Sequence, residues 1–243
     1  MNRGAATRPL IAFAIIINFA VIQGATESFK SKAHLNRDTG IATSCEESRV
    51  VFSSLSQKTI DEIACVAKGV IAEYPNFLAR ASLTLGLLNV HAARGNSQVY
   101  VSTSVFPFDL LCFGPPRDSS KAVRTMKAYE YKGAVLCSLE MPILGGLLTQ
   151  LTERKSSDDV EAGGCLRFTV IRKAVNTSSH SSSIVFVTEI AERYKPSIAG
   201  KCYPRSKFRS VMYCATQRRF HKYVMWRFHR VFRKELERYL NSA

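Results

Sequence analysis

The last part of this chain constrains its fold most, because residues 210–239 form one amphipathic segment that no Pro or Gly interrupts. At 100° per residue, one helical arc is apolar and holds Tyr213, Phe220, Val224, Phe228, Val231, Phe232, Leu236 and Tyr239. The opposite arc holds the cations Arg219, Lys222, Arg230, Arg233 and Lys234. A helix of this size is roughly 45 Å long. Its apolar arc must be covered, most simply by a curved sheet.

The segments before this helix predict an antiparallel sheet. Residues 99–105 alternate between Val and polar positions, and further strands are expected at 123–131, 134–141, 166–171 and 184–190. In the segment 166–171, Leu166 and Phe168 face one way while Arg167 and Thr169 face the other. Short links between consecutive strands favour a meander.

The first half predicts a short strand at 49–52, followed by helices. Residues 59–62 fit a capping box, which satisfies free amide donors at a helix start. Pro75 breaks or restarts that helix. The apolar segment 77–90 suits a buried helix, or a helix that runs into a strand.

This order of elements predicts an α+β fold of the helix-grip kind, in which a curved antiparallel sheet packs on a long C-terminal helix. We expect residues 45–243 to form a single helix-grip-like domain. Sheet and helix in such a fold often enclose an apolar cavity that suits an apolar ligand. The layout alone fixes no function.

The N-terminus predicts targeting signals. Residues 1–25 have the basic start, short apolar run and small-residue boundary of a signal peptide. The run of thirteen residues is short of the ~20 that span a bilayer, so a retained signal anchor is the lesser alternative. Residues 26–44 are expected to be a disordered or transit-like segment, basic over 29–37. The protein is therefore expected in the secretory pathway, secreted or lumenal, or alternatively in a plastid through a two-part signal. Asn176 begins a glycosylation sequon.

The formal charge of +15 is concentrated near the C-terminus, where residues 205–238 hold eleven Lys or Arg against two acids. Such a field attracts anionic partners, although a solvated helix face has the same composition. An anionic membrane surface is the favoured partner, and its candidate contacts are Arg219, Lys222, Trp226, Arg230 and Arg233. A Trp that covers a neighbouring loop is the alternative for Trp226. The predicted signal peptide directs the chain away from the compartments that hold nucleic acid, which argues against nucleic acid as the partner.

No cofactor, metal site or catalytic residue is predicted. The seven cysteines are dispersed and read as small buried hydrophobes, with no disulfide framework. His221 and His229 lack the tight pair spacing of zinc ligands, and His221 is expected to edge the core or to bind a backbone group. No nucleophile signature occurs. Acid–base work by Glu140 or Glu189 inside a cavity stays open.

Three motifs resemble an uncharacterised family, the domain of unknown function nineteen-ninety. They are the strand at 164–170, then Glu189 with Lys195 and Pro196 after it, and residues 217–220 in a basic final helix. The likeness covers roughly residues 135–235, and Cys165 stands where the family has Glu. The resemblance implies a helix-grip fold and adds no catalytic residue, because the family has no established activity.

Together these observations favour a non-enzymatic protein that binds an apolar small molecule or lipid and has a basic, membrane-facing helix. One alternative is a cyclase or hydrolase that acts on an apolar substrate in the same cavity, which requires polar side chains converging inside it. The other is a protein-interaction module without a small ligand. The oligomeric state stays open.

Overall fold

A computed structural model describes residues 29–36, 39–52, 57–81, 88–92, 98–103, 109–120, 131–149, 164–174, 182–191, 194–196, 211, 213–215 and 217–242. The expected signal peptide at 1–25 and Asn176 lie outside these residues, as does the strand expected at 123–131 apart from Tyr131. Among the helices in these ranges, none has the length and apolar character needed to cross a bilayer.

The described elements are three helices and nine strands. In chain order they are β1 (Lys30–Leu35), β2 (Ala42–Phe52), α1 (Gln57–Ala72), α2 (Tyr74–Ala81), β3 (Leu88–Ala92), β4 (Val99–Thr103), β5 (Asp109–Phe113), β6 (Arg117–Asp118), β7 (Ala134–Gly145), β8 (Cys165–Ala174), β9 (Ser182–Ala191) and α3 (Gln217–Ser242). The domain is therefore α+β and ends in a long helix, as the sequence predicts.

The strands form one sheet in the order β1-β2-β9-β8-β7-β5-β4-β3, with the short β6 paired to β7. All the described strand pairs are antiparallel. Strands β3 to β5 and β7 to β9 follow the expected meander, and β2 joins it by pairing with β9. Register shifts at Val101/Ser102, Cys112/Phe113 and Val135/Cys137 bend the strands.

The N-terminal edge of the sheet differs from the disordered or transit-like segment expected at 26–44. Strand β1 pairs with β2 over six residues, and β2 begins at Ala42 instead of near Arg49. In β1, Lys30, Lys32 and His34 are exposed while the residues between them are half-buried. This two-residue period is typical of an edge strand, whereas the prediction weighed only the basic composition.

Helices α1 and α2 cover one end of the inner sheet face. In α1, Ile60, Ile63, Ala67 and Ile71 are buried and lie on one stripe of the helix. Pro75 is the second residue of α2, where its missing amide hydrogen costs little. The expected restart at this proline is therefore confirmed.

The inner face of the sheet packs against α3 through aromatic rings. The Phe228 ring lies 4.9 Å from Tyr74, 5.6 Å from Phe168 and 6.0 Å from Phe186, measured between ring centroids. The rings of Phe186 and Phe232 stack at 3.9 Å. These side chains belong to one buried cluster that joins the sheet, α2 and α3. The expected clasp of the C-terminal helix by the preceding strands is confirmed.

The buried stripe of α3 is rotated slightly from the predicted apolar arc. Val224, Phe228, Phe232 and Leu236 are buried as expected. Val231 is 38% exposed because it lies about 100° around the helix from Phe232. The opposite edge of the stripe extends to Met225 and His229, which are 0% and 2% exposed. A polar residue therefore stands inside the core.

The two faces of β8 carry separate clusters, as predicted for residues 166–171. Leu166, Phe168 and Val170 join the cluster under α3. Ile171 belongs to a second, smaller cluster with Val135, Val185 and Val187 on the opposite face.

Replacement of Phe228 by Ala tests the packing of α3 on the sheet. We expect the free energy of unfolding to fall by about 3–5 kcal/mol, because the variant removes a buried ring that four other rings contact. The matched control is Val231→Ala on the exposed side, with an expected loss below about 1 kcal/mol. Urea unfolding measures both, and equal losses would contradict the packing.

Candidate ligand-binding site

The inner face of β2 is unusually polar for a surface that packs against a helix. Its inward side chains are Ala42, Ser44, Glu46, Ser48 and Val50, all of them buried. We call Ser44, Glu46 and Ser48 the polar row. Glu46 is only 1% exposed, and a buried carboxylate needs hydrogen-bonding partners to offset its lost hydration.

Two histidines of α3 face the polar row in matching order. His221 Nε2 lies 3.0 Å from Ser44 Oγ, and His229 Nδ1 lies 2.7 Å from Ser48 Oγ. Eight helical residues rise about 12 Å, and four strand residues extend about 13 Å. The spacing of the two histidines therefore matches that of the two serines, and α3 runs in the same direction as β2.

The hydrogen bonds of His229 are mutually consistent only for one neutral tautomer. Its Nε2 lies 3.0 Å from Thr188 Oγ1, and the Thr188 hydroxyl donates to Glu46 Oε2 at 3.4 Å. Because that hydroxyl has one proton, Thr188 must accept from His229 Nε2–H. The bare Nδ1 then accepts the proton of the Ser48 hydroxyl.

The pKa of His229 is lowered to about 3, mainly because burial disfavours the imidazolium and also because His221 is near. The ring is therefore neutral at physiological pH. It also lies between aromatic rings, with centroids 4.6 Å from Phe186 and 5.2 Å from Phe29. His229 acts as a fixed polar link between sheet and helix.

Four side chains surround the Glu46 carboxylate. Its Oε2 lies 3.5 Å from His221 Nε2 and 3.4 Å from the hydroxyls of Ser44 and Thr188. Its Oε1 accepts from Ser31 Oγ at 3.4 Å. All four contacts are at the long end of hydrogen-bond geometry. The carboxylate is held in place by several weak contacts.

A cavity of about 70 Å³ lies beside the polar row, between the sheet, α2 and the first turns of α3. Most of its lining is apolar or aromatic, and the described residues that line it include Ala42, Tyr74, Leu78, Leu111, Phe113, Ile143, Leu166, Ile190, Tyr194, Tyr213, Phe220, Val224 and Met225. Polar atoms come from Ser44, Gln217 and His221, and the exposed Arg218 marks its mouth. The expected apolar cavity between sheet and helix is therefore present.

Three tyrosines on the cavity wall remain protonated. Burial is the main cause that raises the pKa of Tyr74 and Tyr194 well above the usual value, and it raises that of Tyr213 to about 12. Their hydroxyls therefore keep their protons at any physiological pH.

The polar groups beside the cavity do not form a nucleophilic triad. Such a triad needs the histidine to contact the nucleophile through one ring nitrogen and the carboxylate through the other. Here His221 Nε2 itself faces both Ser44 Oγ and Glu46 Oε2. This arrangement binds and orients a polar group better than it activates the serine.

The predicted anionic-surface contacts form one stripe on the outside of α3, about 80° wide. Arg219, Lys222, Arg230 and Arg233 are exposed, and Trp226 is partly buried. The Arg230 guanidinium lies 5.0 Å from the centroid of the Trp226 ring. We call these five residues the cationic stripe.

Glu140 and Glu189 do not face the cavity. They flank Arg167 on neighbouring strands, on the sheet face opposite α3, and the Arg167 Nε–Glu140 Oε1 distance is 2.5 Å. Arg167 Nη1 is 4.0 Å from Glu189 Oε2. Because Leu166 and Phe168 point into the core, the intervening Arg167 and its cross-strand partners must point outward.

The cysteines fit the predicted role of small apolar residues at some positions only. Of the six described, Cys112, Cys137 and Cys165 are buried, while Cys65 is exposed. Burial raises the pKa of the Cys137 thiol to about 12. Within the described ranges, no group of three or more metal-ligating side chains is placed to hold an ion.

The polar row could have been found from the sequence. Ser44, Glu46 and Ser48 alternate with outward residues, and His221 and His229 are eight residues apart on the final helix. The prediction began the strand at Arg49, after the row had ended. It therefore placed His221 at the edge of the core without its partners.

Comparisons with known proteins add little to this geometry. No protein-family model matches the chain, and no curated protein matches it. Two solved structures of norcoclaurine synthase from Thalictrum flavum, one in complex with dopamine and hydroxybenzaldehyde, align at 14% identity. Each covers 78% of both chains, with a TM-score of 0.23, which is too low to relate the folds. Membership of the domain of unknown function nineteen-ninety is not shown.

The buried neutral histidine predicts a pH-dependent stability. An unfolded histidine gains a proton below its ordinary pKa of 6.5, whereas folded His229 stays neutral down to about pH 3. Stability is therefore full above pH 6.5 and is lost as the pH falls towards 3, by about 1.4 kcal/mol per pH unit. We expect His229→Gln to remove this contribution to the slope in urea unfolding.

The matched control is His34→Gln, because His34 is exposed on β1. That variant should keep the acid slope of the wild type. Equal slopes for wild type and His229→Gln would show that His229 titrates normally in the folded chain.

Proposed function

We propose that this domain has the helix-grip fold and binds a small, mainly apolar ligand in the cavity between its sheet and α3. The order of elements supports the fold, because a strand, two helices, a meander and a long helix follow one another. The pairing of β2 with β9 brings the first core strand beside the last. The helix then crosses the face that these strands share.

One observation carries the binding proposal, which is the apolar cavity with polar side chains at one wall. This combination is typical of small-molecule sites, in which a few polar groups orient an otherwise apolar ligand. The volume of about 70 Å³ is about half of the ~150 Å³ that accommodates benzene in an engineered cavity. The ligand is therefore small, or it extends past Arg218 through the mouth.

The size of the cavity also bears on the lipid and enzyme hypotheses. A long acyl chain needs several hundred Å³, far more than the cavity holds with its walls as they stand. Catalysis needs convergent polar groups, and Ser44, Gln217 and His221 do meet at the wall. Their arrangement favours orientation of a ligand over nucleophilic attack, so binding is the function that we propose.

Filling the cavity tests this proposal. Ala42 is 2% exposed and lines the cavity, so Ala42→Val adds two methyl groups where a ligand would lie. We expect xenon, which is small enough for the cavity, to bind the wild type, detected by NMR shifts of cavity residues, and to lose binding to the variant. Stability should be kept or increased, because an empty volume is filled.

The control for this test is Val51→Ala, on the outward face of the same strand, where the side chain is 59% exposed. It should leave probe binding unchanged. No binding to the wild type, or equal binding to the wild type and Ala42→Val, would overturn the cavity proposal.

We further propose that the cationic stripe binds an anionic membrane surface. The specific observation is the alignment of four exposed cations with a partly exposed indole ring along one helix face. Basic residues near an anionic surface contribute about 1 kcal/mol each, and Trp favours the interfacial region. One of the cations is partly neutralised, since Arg233 Nε lies 2.6 Å from Glu237 Oε1.

Vesicle co-sedimentation tests the cationic stripe. We expect binding to phosphatidylserine vesicles that weakens with salt, and a loss of about tenfold or more for the double variant Arg219→Glu and Arg230→Glu. The control is Lys30→Glu with Lys32→Glu, which makes the same charge change at exposed positions of β1.

Two outcomes would count against the membrane surface. Equal binding to neutral and anionic vesicles, or an equal loss in the β1 control, would remove the role of the stripe. Binding to nucleic acid without binding to vesicles would assign the face to nucleic acid.

A further inference from the structure

The side-chain amide of Gln217 has a fixed orientation at the cavity wall. Its Nε2 donates to the hydroxyl of Tyr194 at 2.7 Å and to the carbonyl oxygen of Leu148 at 3.2 Å. A carbonyl can only accept, so the amide nitrogen must face Leu148. The Tyr194 hydroxyl in turn donates to the same carbonyl at 3.3 Å. The opposite atom, Gln217 Oε1, is therefore fixed as well.

Gln217 Oε1 is a buried acceptor without a donor. It is excluded from solvent, and within the described part of the chain it has no hydrogen-bond partner. A buried polar atom left in this way is unfavourable, because it has lost its hydration without gaining a partner. Gln217 lines the cavity, so a donor on a bound molecule would satisfy this oxygen once the wall atoms that cover it move aside.

The neighbours of Gln217 define the type of molecule that fits. His221 lies one turn further along α3 and also lines the cavity, so both side chains are on the same side of the helix. Aromatic rings of Tyr74, Phe113 and Tyr213 form much of the remaining wall. These walls suit a flat apolar body with one polar end near the first turn of α3. A ring is larger than the cavity of about 70 Å³, so its far end would extend through the mouth beside Arg218.

The free acceptor at the wall disfavours a carboxylate as the polar end of the ligand. An ionised carboxylate has oxygen acceptors and no proton to donate, so beside Gln217 Oε1 two acceptors would face each other without a donor between them. A hydroxyl group can donate to this oxygen and carries no charge.

We propose that the cavity selects a neutral ligand with a hydroxyl group on a ring-sized apolar body, and that Gln217 Oε1 accepts its hydrogen bond. This inference rests on the proposed binding function and names the ligand class for the same site. Gln217 is the residue that determines specificity, because its amide is already oriented by Tyr194 and Leu148 before the ligand arrives.

Affinities of phenol, toluene and benzoate for the full domain test this selection. In a cavity without a free acceptor, toluene binds more tightly than phenol, because the phenol hydroxyl loses its hydration. We expect phenol to bind the wild type at least as tightly as toluene, and benzoate to bind at least about tenfold more weakly than phenol. NMR titration or calorimetry gives these affinities.

The variant Gln217→Met keeps the length of the side chain and removes the acceptor. We expect it to bind phenol about tenfold more weakly, with toluene affinity within about twofold of the wild type, so that the order of the two ligands reverses. The matched control is Lys234→Met, at an exposed position of α3 that is not among the described residues lining the cavity, and it should keep the wild-type order.

The possible outcomes separate this inference from the cavity proposal. If toluene binds the wild type about tenfold more tightly than phenol, the cavity binds ligands but Gln217 does not select a hydroxyl. If no aromatic probe binds, the inference about Gln217 fails and ordered water is the donor that its Oε1 meets, while xenon binding still tests the cavity proposal. If Gln217→Met does not fold, the order of the affinities of the wild type for phenol, toluene and benzoate still decides whether the cavity selects a hydroxyl group.

Discussion

The packing of α3 against the inner face of β2 and β9 is the interaction on which the rest of this structure depends. Phe228 and Phe232 provide most of its apolar contact, with Tyr74, Phe168 and Phe186 on the other side. The same contact encloses the cavity and places His221 and His229 over the polar row. Loss of this contact would expose a carboxylate, two imidazoles and a cavity wall together.

The polar row makes this packing specific to one alignment. An apolar helix face could slide along an apolar sheet with little change in buried area, but a shift by one turn, about 5.4 Å, would separate both histidines from their serines. Buried polar groups then lose hydrogen bonds that water cannot replace. The hydrogen bond between His229 and Ser48 therefore fixes the position of α3 along the sheet. The phenylalanines provide most of the stabilising free energy.

The predictable part of this fold is the part governed by periodicity. The alternation in β4 and β8, the stripe of α3 and the proline at the start of α2 are local patterns, and each was expected from its own residues. The pairing of β2 with β9 joins residues about 140 positions apart, which no local pattern contains. The contacts of Ser44 with His221 and of Gln217 with Leu148 could not be expected for the same reason, because they join residues 177 and 69 positions apart.

Strand β1 has a consequence for how the domain behaves in a crowded solution. It is an outermost strand of the sheet as described, and such a strand offers unpaired amide and carbonyl groups to any other chain. The exposed Lys30 and Lys32 place two positive charges along this border. A second copy that approached strand to strand would bring like charges together, so the border resists the self-association that leads to fibrils.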